Sequence, residues 1–194
     1  GIFDMDGSRR SGHGNAYFTG FGRNKRIVFF DTLVASLDHD EMEAVLAHEL
    51  GHYKHRHVLK QLALGMIATL LGLALLGWLA GQHWFYQALG VTLPSNAAAL
   101  LLFLLVSPVF TQFLQPLHAL ISRRHEFEAD NFAREQSGPE PLIRALVKLY
   151  RDNASTLTPD PLYSAFHDSH PPAPLRVARL SCKTGTEPRS TLAQ

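Results

Sequence analysis

The chain has 194 residues, enough for one compact domain, and its 18 Lys and Arg against 17 acidic residues leave a formal charge of +1 that gives no electrostatic reason to bind nucleic acid. A single cysteine, Cys182, excludes an intramolecular disulfide and any thiolate set as a metal site. The charges are segregated: the 62 residues from Gln61 to Ser122 contain no Asp, Glu, Lys or Arg, a distribution foreign to ordinary soluble domains.

The chain opens on Gly1 rather than Met, as a segment of a longer protein does, and its first thirty residues lack the basic stub and apolar run of a signal peptide. Asn15 to Phe18 and Arg26 to Phe30 have the aromatic and β-branched content of two short strands joined by a Gly-containing turn, which predicts a small β-hairpin. Asp38 followed three residues later by Glu41 is a capping-box signature, and the acidic cluster Asp38, Asp40, Glu41, Glu43 suits the positive end of a helix dipole. A helix therefore begins near residue 39 and runs through the histidine-rich stretch, with no proline to interrupt it before Pro94.

Leu62 to Gly81 supplies twenty uncharged, mostly apolar residues, which at about 1.5 Å each span the roughly 30 Å hydrocarbon core of a bilayer. Ala97 to Ile121 reads as a second span whose later half, with Pro108, Gln112, Gln115, Pro116 and His118, needs protein or water beside it. The alternative is a hairpin of helices buried in a large soluble core. Trp78, Trp84, Phe85 and Tyr86 stand where an interfacial aromatic belt belongs. Lys54, Arg56 and Lys60 precede the first span, Arg123 and Arg124 follow the second, and the link between carries no Lys or Arg, so both flanks are placed in the cytoplasm. Beyond the second span, Arg123 to Gln136 reads as a helix stopped by Gly138-Pro139. Pro141 to Arg151 reads as another with Leu142, Leu146 and Leu149 on one face, and the last dozen residues as a disordered polar tail.

The pentapeptide His48-Glu49-Leu50-Gly51-His52 is an H-E-x-x-H motif, and on a helix its i, i+4 histidines stack on one face where they can share a tetrahedral zinc. Glu49 then lies beside the metal, placed to take a proton from a water whose pKa zinc lowers to about 7. A catalytic zinc needs a third protein ligand. Val58 stands ten residues after His48 where a metzincin has its third histidine, which excludes that class. Glu126 is the candidate from a later helix, with Asp130 one turn on as an acceptor for the far N–H of a ligating histidine, His48 above all. Glu128 is the rival ligand, about 200° round that helix from Glu126. His55 is read as lying near the cleft and His57 as pointing elsewhere, both polar cover at the membrane surface, and His13, His39, His83 and His125 as surface residues. His170-Pro171-Pro172 with Arg176 is either a proline-rich surface turn or a rigid segment presenting a donor to a tetrahedral oxyanion.

Together these residues resemble the type I CAAX prenyl protease family of membrane zinc metallopeptidases, within the gluzincin group. The likeness rests on HELGH, on Arg10 to Phe21 (RSGHGNAYFTGF), on Lys25 to Leu33 (KRIVFFDTL), on Glu126 to Asp130, and on Ser169-His170-Pro171-Pro172 with Arg176. The resemblance implies one zinc per chain held by His48, His52 and Glu126, with Glu49 as general base and Asp130 behind the ligands. It implies that Asn15, Ala16 and Tyr17 bind substrate backbone by strand addition, and that His170 and Arg176 complete the site around the scissile carbonyl. It implies further spans before Gly1, a peptide or protein substrate that is lipidated or membrane-bound, and the bilayer as surroundings. Thr32 to His48 is only seventeen residues, without the charged insertion of eukaryotic members, so a bacterial inner-membrane protein is expected. Membrane-protein quality control of the heat-shock type, and a non-catalytic scaffold that keeps the fold, are the competing functions.

The expected fold is mainly α with a small β-hairpin, the HExxH helix continuing into a two-span transmembrane hairpin, in one catalytic unit. Residues 1–37 form the hairpin and substrate edge strand, 38–60 the zinc helix and 61–122 the two spans. Residues 123–182 form the third-ligand helix and C-terminal helices, and 183–194 the tail.

Overall fold

A computed structural model describes residues 2–9, 16–21, 24–152 and 159–182. The expected hairpin, β2 (Ala16–Phe21) against β3 (Asn24–Phe30), is antiparallel with Ala16 opposite Phe29 and Phe18 opposite Ile27. It is part of a larger unit than the sequence implied. A third strand, β1 (Ile2–Met5), pairs parallel with the other side of β3, Ile2 opposite Ile27, giving the order β1-β3-β2. Ile27 and Phe29 alternate on one face of the central strand and bury against Leu33, Leu37, Val45 and Ala145. Asn15 lies outside the described residues.

Helix α1 (Asp31–Ser36) follows β3 directly, and Asp31 Oδ1 accepts from the backbone N–H groups of Gly7, Ser8 and Thr32, tying the turn after β1 to the start of the helix. Helix α2 (His39–Lys54) opens on the capping box read from the sequence: the Asp38 side chain accepts from Glu41 N and the Glu41 side chain from Asp38 N, both at 2.9 Å.

Helix α2 leads into the first apolar helix, α3 (His57–Ala80), through a break rather than as one rod. Arg56, at φ 55° and ψ 38°, occupies the left-handed region. That conformation costs a non-glycine residue about 1 kcal/mol and leaves no sequence signature, which is why the absence of proline predicted an unbroken helix.

The chain returns through α4 (His83–Ala88) and α5 (Asn96–Thr111), passes one 3₁₀ turn at Gln112–Leu114 and continues as α6 (Gln115–Ser137). The most apolar stretch of α3 has none of its residues buried by the protein, and that of the α5–α6 run has 11%. A buried soluble hairpin would show the opposite pattern. The aromatic cluster divides: Trp78 and Trp84 are exposed, whereas Phe85 and Tyr86 pack on Ala99 as a small core, with Tyr86 Oη donating to Ala80 O. Helices α7 (Pro139–Asp152) and α9 (Ala173–Ser181) pack on α2 and α6, where Leu142, Leu146 and Leu180 join Ala44, Ala47 and Ala133, and Arg123 of α6 donates to the Ser164 and Ala165 carbonyls of α8 (Pro161–His167).

Candidate metal centre

Two helices from distant parts of the sequence meet here because the faces they present are nearly bare. Ala44, Ala47 and Gly51 of α2 face α6, whose Ala129 and Ala133 are fully buried. At Gly51 a Cβ would lie 2.9 Å from Ala129 Cα and 3.1 Å from its carbonyl oxygen, so only glycine allows this approach.

That contact carries His48 and His52 of α2 to Glu126 of α6. The two Nε2 atoms lie 3.2 Å apart, and Glu126 Oε1 and Oε2 stand 3.4 Å from His52 Nε2 and 3.7 Å from His48 Nε2. Ligands about 2.1 Å from a tetrahedral ion are about 3.4 Å from one another, so the two ring nitrogens and the carboxylate already stand near the edge lengths of such a shell. They fit a metal ion, and they leave its remaining position open to a cleft of about 790 Å³.

The outer atoms of the ligands are held in turn. His48 Nδ1 is 3.0 Å from Asp130 Oδ1, close in distance though not aligned along the ring N–H. Arg176 is buried and clamps Asp130 with two hydrogen bonds, Nε to Oδ2 at 2.9 Å and Nη2 to Oδ1, while Nη1 stands 3.5 Å from Glu126 Oε2. The guanidinium thus holds two carboxylates of the cluster, and it borders the same cleft. His170 Nδ1 lies 3.1 Å from Glu126 Oε2, leaving Nε2 for the cleft, and Tyr150 Oη donates to Pro171 O at 3.2 Å, holding the His-Pro-Pro turn. Glu49 lines the cleft without reaching the cluster; burial pushes its carboxyl up, against the pull of His48 and His52, and so strengthens it as a base.

Ala16 and Tyr17 border the same cleft. Among the described residues β2 pairs with β3 alone. Gln61, His118 and Ser122 supply polar lining from the apolar helices, which accounts for His118 of the second span, whereas Gln112 and Gln115 are exposed and Gln112 Nε2 donates to Gln115 Oε1.

Two histidine assignments from sequence require correction. His57 is buried, with Nδ1 2.9 Å from His52 Nδ1 and Nε2 2.9 Å from Glu128 Oε2, so neither it nor the rival ligand Glu128 is surface cover or first in line for the metal. His125 is buried too and stacks on His57, ring centroids 4.1 Å apart. In a continuous helix a histidine five residues after His52 points to another face; the left-handed Arg56 redirects it. His55 is half-buried and stacks on the outer side of His57.

The sequence profile of peptidase family M48 matches residues 1–184. CAAX prenyl protease 1 of Saccharomyces cerevisiae is 38% identical over 200 residues, covering 92% of this chain and 43% of the yeast protein. A CAAX prenyl protease 1 homologue of Dictyostelium discoideum is 40% identical over 172 residues, 88% of this chain and 40% of its own. The crystal structure of S. mikatae Ste24p superposes with a TM-score of 0.81 at 37% identity, covering 93% of this chain and 46% of that one. The chain therefore spans less than half the length of the relatives it matches, and its two exposed apolar helices, each long enough to cross a bilayer, mark it as an integral membrane protein.

Proposed function

The chain belongs to peptidase family M48, and from that membership we propose that it carries the catalytic part of a zinc-dependent endopeptidase working at the membrane, with His48, His52 and Glu126 as ligands. The observation that carries this reading is the convergence of two Nε2 atoms and one carboxylate at the edge lengths of a tetrahedral site, open on one side to a cleft. A structural zinc site would be closed by a fourth protein ligand, which argues against a scaffold. When bound, zinc supplies Lewis-acid polarisation and a water of lowered pKa.

The chain's own residues do the rest. Glu49 takes the proton of the attacking water and returns it to the departing amine. His170 offers Nε2 to the carbonyl oxygen as charge develops there, its ring fixed through Nδ1 on Glu126. The edge of β2 at Ala16 and Tyr17, which has no partner strand among the described residues, accepts an extended substrate by backbone pairing, with Asn15 before it in sequence, and this sets register without demanding particular side chains.

The relatives are named for prenylated CAAX substrates, and a peptide bearing a C-terminal isoprenoid suits a cleft beside exposed apolar helices. Two residues, Leu37 and Asp38, link α1 to the zinc helix, which supports a bacterial member, and the Lys and Arg of both flanks support a site on the cytoplasmic side of the inner membrane. The test is metal analysis with peptide cleavage. Wild type should hold one zinc and cut; E49Q should hold zinc and lose turnover; H48A should lose both. Cleavage at the wild-type rate by E49Q refutes the mechanism. Matched farnesylated and unmodified peptides decide whether the lipid is required.

A further inference from the structure

The two histidines of the metal cluster are not supported alike. Behind His48 stands a carboxylate in direct contact, Asp130, itself clamped by Arg176. Behind His52 stands another histidine, and the carboxylate comes only after it. His52 Nδ1, His57 Nδ1, His57 Nε2 and Glu128 Oε2 form a chain with two contacts of 2.9 Å. Helix α6 supplies the carboxylates at both ends, Asp130 and Glu128, as well as Glu126 between the histidines.

The proton count in this chain has one self-consistent solution. Metal ligation uses His52 Nε2, so the ring proton sits on Nδ1 and must be donated outward. His57 accepts it at Nδ1, which places the His57 proton on Nε2, and Glu128 accepts that in turn. A carboxylate cannot donate, so the order cannot run the other way.

Three features hold His57 in this role. Its side chain is 2% exposed. Its ring lies flat on His125, 13° from parallel, fixing the ring plane. The backbone turns at a left-handed, non-glycine Arg56 one residue earlier, a cost that buys the histidine its place.

We infer that His57 is a positioning residue for the metal site: together with Glu128 it fixes the tautomer and ring orientation of His52, as Asp130 and Arg176 do for His48. The inference rests on the zinc reading of the cluster. Loss of the hydrogen-bonded partner behind a metal-ligating histidine weakens metal binding about 10–100-fold.

The test uses the detergent-solubilised protein, with zinc Kd measured by chelator competition and the visible spectrum of the cobalt-substituted form as a second readout. H57F keeps a flat ring against His125 but removes both nitrogens. It should bind zinc about 10–100-fold more weakly and shift the cobalt absorption bands. E128A should weaken binding in the same sense, and E128Q, whose amide oxygen still accepts, should recover most of the loss. H57F with wild-type Kd and an unchanged cobalt spectrum overturns the proposal. If H57F does not fold, E128A decides, because the Glu128 side chain is 43% exposed and its loss leaves the core intact. Wild-type behaviour of E128A, or an E128Q no better than E128A, overturns the chain. A wild-type protein that takes up no zinc overturns the underlying reading and this inference together, whereas wild-type uptake with an unaffected H57F overturns this inference alone.

Discussion

Replacing Gly51 with alanine adds one methyl group where α2 crosses α6, and its consequences separate stability from metal binding. The new Cβ would meet Ala129 Cα at 2.9 Å, Ala129 O at 3.1 Å and Phe132 Cβ at 3.2 Å, two of them backbone atoms that cannot swing aside. Restoring an ordinary carbon–carbon separation of about 3.5 Å or more requires the helices to part by roughly 0.6 Å. Overpacking of this kind costs about 1–3 kcal/mol, while alanine gains about 0.8–1 kcal/mol over glycine in helix propensity. The net loss of fold stability is therefore small, on the order of 0–2 kcal/mol. The metal cluster has less room. Its histidines ride on α2 and its glutamate on α6, so the same parting stretches separations that already stand at 3.4 and 3.7 Å. Constellations of this type tolerate about 0.5 Å. G51A should thus melt within a few degrees of wild type yet bind zinc at least about tenfold more weakly, a difference of about 1.4 kcal/mol. Thermal unfolding of the metal-free protein and chelator competition measure the two quantities. A zinc affinity within twofold of wild type would show that the close crossing does not set the ligand geometry.

Asp130→Asn keeps the size of the side chain but discards the charge that Arg176 and His48 share; zinc binding should fall about 10–100-fold, read by chelator competition. Arg176→Met leaves Asp130 buried beside Glu126 without its cation and should cost about 3–5 kcal/mol of stability in the metal-free protein, measured by denaturant unfolding. Glu41 is 1% exposed, closes the capping box and meets Lys148 and, at 3.4 Å, Arg144. Glu41→Ala should cost about 2–3 kcal/mol without changing zinc affinity, since it lies at the far end of α2 from the histidines. A substrate peptide N-methylated at the residues facing Ala16 and Tyr17 should lose binding through missing backbone pairing, whereas side-chain changes there should matter little; equal KM values for methylated and parent peptides would remove strand addition from the mechanism.

Much of the site was legible because it obeys helical periodicity. The i, i+4 histidines and the capping box at Asp38 are local patterns, and a local pattern survives whatever the rest of the chain does. The apolar helices were legible for a similar reason: composition alone decides which twenty-residue stretches can face lipid. β1 was not, because a four-residue strand pairing in parallel with β3 across an intervening segment carries no turn signature of its own. Phe85 and Tyr86 were assigned to an interfacial belt by position in the chain, but the fold of α4 back onto Ala99 turns them inward.

The histidines beyond the motif expose the limit more sharply. Placing His57 required knowing one backbone angle, the positive φ of Arg56, and nothing in an arginine announces it. Once that turn is made, a histidine that periodicity assigns to the wrong face stands against His52, Glu128 acquires a partner, and His125 acquires a ring to stack on. A single unfavourable residue conformation just after α2 thus reorganises three side chains that sequence spacing had treated as independent. The turn also parts the helix that carries the ligands from the apolar helix that follows, so the ligand-bearing segment can take its direction from the bare contact with α6 while α3 takes a direction of its own.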